Sequence, residues 1–207
     1  MKNLLYFLTL IIGTGILIGS CAKKDDDDTT TAASIVASST ASGSITVGSE
    51  TLSGTYATSC QTAGVSSMAS SGSVPSDTKA LAWIFVVTGN DNVTEELHGY
   101  SDTTCTTKNY HNNLVYDNVS VGSASGSNYQ VLQLYNEVEL LAKTTAAKTW
   151  MATTYSITLT LETESKTSIT PIQSYGLWNL SGTTFQKALS STSGYPTSLW
   201  SIPYTKQ

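Results

Sequence analysis

Arginine is absent from the 207 residues, and all ten basic side chains are lysine. The chain therefore lacks the planar guanidinium fork that grips phosphates and carboxylates in pairs. With a net charge of −5 it has no basic footprint for nucleic acid either, so that partner class is excluded. Histidine is nearly as scarce, with only His98 and His111. A zinc site needs at least three protein ligands, and if the cysteines pair the third must be a carboxylate, so no metal is expected. There is no Gly-rich phosphate loop and no G-x-S-x-G elbow. Ser76-Asp77-Thr78-Lys79 matches S-x-x-K, but it precedes a strand-like segment and lacks the S-D-N and K-T-G companions that the motif requires. No catalytic residue, no cofactor and no enzymatic activity is expected.

Long apolar runs are missing too. The longest, Leu4 to Ile18, spans about fifteen residues, short of the roughly 20 that cross a bilayer as a helix. It follows Lys2 and leads into small residues, the layout of an export signal. The competing reading is a signal-anchor helix with an incidental cysteine. Ile18-Gly19-Ser20-Cys21 resembles the lipobox of bacterial lipoproteins. That resemblance implies a signal peptide over residues 1–20, cleavage before Cys21, and acyl chains such as palmitate on Cys21. Several such chains anchor firmly, because each buried methylene contributes about 0.8 kcal/mol. Ala22 stands where some bacteria place an inner-membrane retention aspartate, so outer-membrane delivery is expected, with the membrane itself as the first partner. Asp25 to Asp28 lack the spaced ligands and glycine of a calcium loop and read as a solvated spacer.

The remaining chain, Cys21 to Gln207, divides by composition. Residues 21–48 are Ser, Thr, Ala and Asp with few large apolar groups, which predicts a flexible tether. Residues 49–207 make one domain, long enough to bury about 70% of its unfolded surface. Cys60 and Cys105 are left as two thiols in an exported chain, which most simply form one disulfide.

Short strands punctuated by turns fill the domain, and Gly64 to Ser76 reads as a Ser/Gly-rich loop closed by Pro75. Leu81 to Val87 is almost continuously apolar, and Gly89-Asn90-Asp91-Asn92 turns it into Val93 to Tyr100 as a hairpin. Asn113 to Val121 and Tyr129 to Ala142 read as further strands, with one short helix over Lys143 to Ala152. Ile157, Leu159 and Leu161 alternate with threonines like a strand. Tyr175 to Leu180 and Thr184 to Ala188 form a last hairpin around Ser181-Gly182. The fold class is all-β: an antiparallel meander of about eight strands, closed into a barrel because closure removes exposed edges.

Three stretches carry a second resemblance. They are Gly54-Thr55-Tyr56 with Cys60, then Tyr100-Ser101-Asp102-Thr103-Thr104-Cys105, then Pro196-Thr197-Ser198-Leu199 followed by Tyr204-Thr205-Lys206. Together they resemble a group of bacterial lipoproteins with a lipocalin-like barrel. Tyr56 stands where lipocalins usually carry tryptophan, and Tyr195 precedes Pro196 where arginine is expected. The resemblance implies that Cys60 pairs with Cys105, tying the first strand to the turn after the third.

Three glutamate pairs invite an acid/base reading. Glu137/Glu139 and Glu162/Glu164 are two residues apart and share a strand face opposite Leu140 and Leu161, the look of an outward, solvated face. Glu95-Glu96 completes the set, and none is assigned to catalysis. The aromatics carry the functional expectation. Tyr56, Trp83, Phe85 and Trp178 are the candidate walls of a cavity for a small hydrophobic ligand, though the same rings could fill the core. The alternative is a macromolecular partner of the host or envelope, bound at the rim by exposed tyrosines and hydroxyls.

Overall fold

The computed structural model describes residues 35–207. The signal segment, Cys21 and the aspartate run lie outside the described residues. In chain order the elements are β1 (Ile45–Val47), β2 (Glu50–Leu52), β3 (Thr55–Ala57), α1 (Val65–Ser70), β4 (Ala80–Val87), β5 (Val93–Tyr100), β6 (Lys108–Ser125), β7 (Asn128–Ala142), α2 (Thr145–Tyr155), β8 (Ser165–Ser181), β9 (Thr184–Lys187) and β10 (Tyr204–Lys206).

Eight of the strands close into a barrel in the order β10-β3-β4-β5-β6-β7-β8-β9, and every neighbouring pair is antiparallel. The short β10 makes the closure, with Thr205 opposite Ala57 of β3 and Tyr204 opposite Phe185 of β9. β1 and β2 form a separate hairpin. Its turn uses Gly48 at φ +64°, and a side chain there would strike the Tyr129 ring. The meander and the closed barrel are thus as the alternation predicts.

β4 shows why its sequence is apolar without interruption. Leu81, Phe85 and Val87 belong to the barrel core, with Trp83 packed against it, while Ala80, Ala82, Ile84 and Val86 form a second cluster with Ile35, Tyr100 and Cys105. A strand buried on both faces loses its alternation. The outer cover is the segment 35–44, a strap laid along β4 and β5. Ser42 donates its N–H to Val87 O and its hydroxyl to Thr88 O, at 2.8 and 2.7 Å. Ser38 and Ser39 donate their N–H groups to the two Glu96 carboxylate oxygens, both at 2.8 Å. The tether expected to run to residue 48 is therefore docked from residue 35 onward. Its small polar residues suit backbone hydrogen bonding along a strand as well as they suit a solvated linker.

Two further expectations change. A second helix, α1, lies in the Ser/Gly-rich stretch expected to be a loop, where a buried Val65 pins one turn. Residues 157–164 are not a strand. Ile157 and Leu159 turn inward between exposed threonines, but the alternation ends there: Leu161 is exposed, and Glu162 takes φ 58° and donates its N–H to Ala142 O. That turn delivers the chain into β8, and no partner strand is met.

α2 caps one end of the barrel. Ala147, Met151 and Tyr155 are its buried residues, spaced four apart so that they share one face. Thr144 caps it by accepting from the Ala147 N–H at 3.2 Å, and the Trp150 indole donates to Gly72 O at 2.8 Å, joining the two helical segments. Cys60 and Cys105 form a disulfide with a Cα separation of 5.8 Å, which ties the segment after β3 to the β5–β6 turn.

Candidate ligand pocket

The four expected cavity residues separate into two layers. Tyr56, Phe85 and Trp178 are at most 1% exposed. They pack with Phe185 as an aromatic floor, with ring centroids at 5.7 Å (Tyr56–Phe185), 5.2 Å (Phe85–Trp178) and 4.7 Å (Phe85–Phe185). The edge-on and tilted geometry is that of a filled core. These three side chains therefore pack one end of the barrel instead of walling a cup.

Trp83, two residues before Phe85 on the same face, is different. It meets Trp200 edge-on at 4.9 Å and borders a pocket enclosing about 60 Å³ of free space. Leu97, Leu114 and Leu189 add apolar wall. Trp200 is set in place by its own backbone, whose N–H donates to Lys187 O at 2.9 Å.

The polar part of the pocket comes from three strands and a helix. On β5, Val93 and Leu97 point into the core, and Glu95 shares their parity. Its carboxylate accepts from Lys187 Nζ at 2.8 Å, and the lysine is 5% exposed. Lys187 follows Phe185 by two on β9 and enters by the same rule. Asn112 stands opposite Leu97 and donates through Nδ2 to Tyr155 Oη at 2.7 Å. Burial pushes the Tyr155 hydroxyl well above the usual phenol range, with the neighbouring Tyr135 adding to the rise, so it stays protonated and neutral. Glu95 Oε1 and Asn112 Oδ1 are buried without a protein partner.

A second polar cluster lies on the outer face, under the strap. Glu96 and His98 have opposite parity to Glu95. His98 Nε2 is 2.7 Å from Glu96 Oε2, and neither side chain reaches solvent. Burial alone would raise the Glu96 carboxyl, but the His98 imidazole and the Ser38 and Ser39 amides outweigh it and hold it at about 2. His98 and His111 stack at 5.6 Å with an interplanar angle of 27°. Burial, aided by His98, pushes the His111 imidazole down to about 4. His111 Nε2 lies 3.3 Å from Glu164.

The glutamates are less solvated than their spacing predicts. Glu139 is buried, accepts from Asn113 Nδ2 at 2.9 Å and pairs with Lys166. It is outward in parity, but Asn113 and Lys166 stand opposite it on the two neighbouring strands and engage its carboxylate. Glu162 is exposed. Among the described residues no cluster of three or more His, Cys, Asp or Glu side chains has the arrangement of a metal site. Ser76 and Lys79 border a shallow hydroxyl-rich groove with α1 and do not meet a general base.

Sequence reasoning assigned Trp83 to the pocket and missed Glu95, Asn112, Tyr155, Lys187 and Trp200. Parity with flanking core residues marks Glu95 and Lys187 as inward. Nothing in local spacing marks Trp200 or Tyr155, which arrive from a loop and a helix end.

The fold and site define a small closed β-barrel, aromatic-filled at one end, with a narrow amphiphilic pocket in its interior. No protein-family model matches the chain, and no curated protein matches it.

Proposed function

We propose that this is a non-enzymatic, lipid-anchored lipoprotein of the bacterial outer membrane whose lipocalin-like barrel binds one small ligand. The lipid would sit on Cys21, ahead of the strap. The observation that supports ligand binding is the pocket between Trp83, Trp200 and the Glu95–Lys187 pair. It is a concave space walled by apolar groups with a few convergent polar atoms, the usual make-up of a small-molecule site. A free volume of about 60 Å³ restricts the cargo to a small molecule, well below the lipid-sized ligand that a wide aromatic cup would hold.

Organic extraction of the protein isolated from its native host, followed by mass spectrometry, should release a small compound in near-stoichiometric amount. An empty extract together with unchanged tryptophan fluorescence across a panel of small metabolites would refute the reading. Labelling with a palmitate analogue should mark the wild type and not Cys21→Ala, and equal labelling of both would refute the anchor.

The filled aromatic floor favours a second reading, in which the barrel is a rigid platform for a macromolecular partner at its rim. Under that reading no small molecule copurifies, and an envelope or host macromolecule does.

A further inference from the structure

We infer that the pocket takes a small primary ammonium compound with a short apolar tail, its N–H donors directed to Glu95 Oε1 and Asn112 Oδ1. This rests on the ligand-binding reading above. Three observations point the same way. Both unpartnered polar atoms that line the pocket are acceptors. Asn112 is only 7% exposed, and its donor side is already used by Tyr155, which fixes the amide oxygen as the free atom. Buried acceptors without donors are costly, and a ligand that brings N–H groups removes that cost.

The open carboxylate oxygen is the second observation. Glu95 is the acidic side chain that enters the pocket, since the Glu96 carboxylate faces outward beneath the strap. Lys187 Nζ binds Glu95 Oε2 at 2.8 Å and leaves Oε1 open, so one carboxylate can serve the lysine and a second ammonium together. The third observation is the pair of indoles, Trp83 and Trp200. Tryptophan is the best aromatic partner for a cation within about 6 Å of its ring. The free volume sets the size of the tail. A dry cavity of about 150 Å³ is what accommodates benzene, so the roughly 60 Å³ here suits a chain of a few carbons.

The test uses the full chain and three probes of equal length: n-butylammonium, 1-butanol and butyrate. Binding is read from the indole N–H resonances of the four tryptophans. Butylammonium should shift Trp83 and Trp200 saturably and leave Trp178, in the packed floor, unmoved. Asn112→Leu, which keeps the pocket walled, and Glu95→Gln should each weaken that binding by roughly tenfold or more, the size expected for a lost charge-assisted hydrogen bond. If Glu95→Gln fails to fold because Lys187 is stranded, Asn112→Leu decides. Butanol or butyrate shifting the same two indoles as tightly as butylammonium would overturn the ammonium assignment and leave the ligand-binding reading standing. Unchanged affinity in Asn112→Leu would overturn it too. No shift with any of the three probes would overturn both.

Discussion

Mild acid should loosen this barrel from its outer face, through His111. The imidazole is buried, stacks on His98 of β5, and is faced by Lys108, Glu96, Glu139 and Glu164. Its folded value is about 4 against an ordinary 6.5. Between those values the unfolded chain binds a proton that the folded chain refuses, so stability falls as pH drops through about 6.5 and levels off below about 4. At 1.36 kcal/mol per pKa unit, His111 alone accounts for a loss of about 2 kcal/mol on going from about pH 7.5 to about pH 5. His98, also lowered by burial, adds to the same trend. Glu96 does not contribute in that window. Its carboxyl is held at about 2 against an ordinary 4.5, so its stabilisation is lost only as pH falls from about 4.5 toward 2. Urea unfolding followed by tryptophan fluorescence at the two pH values measures the loss. His111→Gln should show a slope reduced by about 2 kcal/mol over the interval. A wild-type stability that is flat or rising on acidification, or an unchanged slope in the variant, would refute the assignment of a buried neutral imidazole.

Other outcomes follow from the packing. Cys60→Ser with Cys105→Ser opens a 45-residue loop and should cost about 4 kcal/mol on the chain-entropy account, read as a lower urea midpoint; an unchanged midpoint would mean that the bond does not constrain the unfolded chain. Gly99→Ala places a Cβ inside the Tyr110 ring, and Tyr110 is fully buried with nowhere to move; the loss should be on the order of 2 kcal/mol or more, and a neutral result would show that β5 and β6 can separate. Lys187→Met strands Glu95 in the interior and should cost about 3 kcal/mol, whereas Glu95→Leu combined with Lys187→Met should return close to wild-type stability. A double variant as unstable as the single one would show that the pair is needed for folding.

Strand polarity made the barrel legible. The hairpin β4–β5 was readable because Gly89 to Asn92 punctuates two strand-like runs, and β8–β9 because Ser181-Gly182 does the same. The disulfide was readable because only two thiols remained once Cys21 was assigned elsewhere. The strap was not. A run such as Ser38-Ser39-Thr40-Ala41-Ser42 has the composition of a linker, and its docking depends on backbone N–H groups finding Glu96 and Val87, which no residue preference encodes. The only trace of it is in β4, whose alanines at 80 and 82 and aliphatics at 84 and 86 needed a cover on the outer face. The turn at residues 157–164 was misread for a related reason. Alternation reports which side chains meet the core, and a loop crossing a barrel end produces it without a ladder.

Glu95 and Glu96 show how much depends on parity alone. Adjacent and chemically alike, they are carried by one strand to opposite sides of the wall. The inward one meets Lys187, beside Asn112 and Tyr155. The outward one meets no lysine and is held instead by two backbone amides and an imidazole, so it fastens the strap. A slip of one residue in the β4–β5 register would exchange them, leaving Lys187 unpaired inside and the strap without its acceptor. The register is thus enforced from both faces by charge as well as by Val93, Leu97 and Phe85. A buried ion pair adds little to stability when compared with apolar groups of the same shape, so packing alone gives no reason for a carboxylate inside the barrel. The proposed ligand site, where its open oxygen lies with Trp83 and Trp200, would give one.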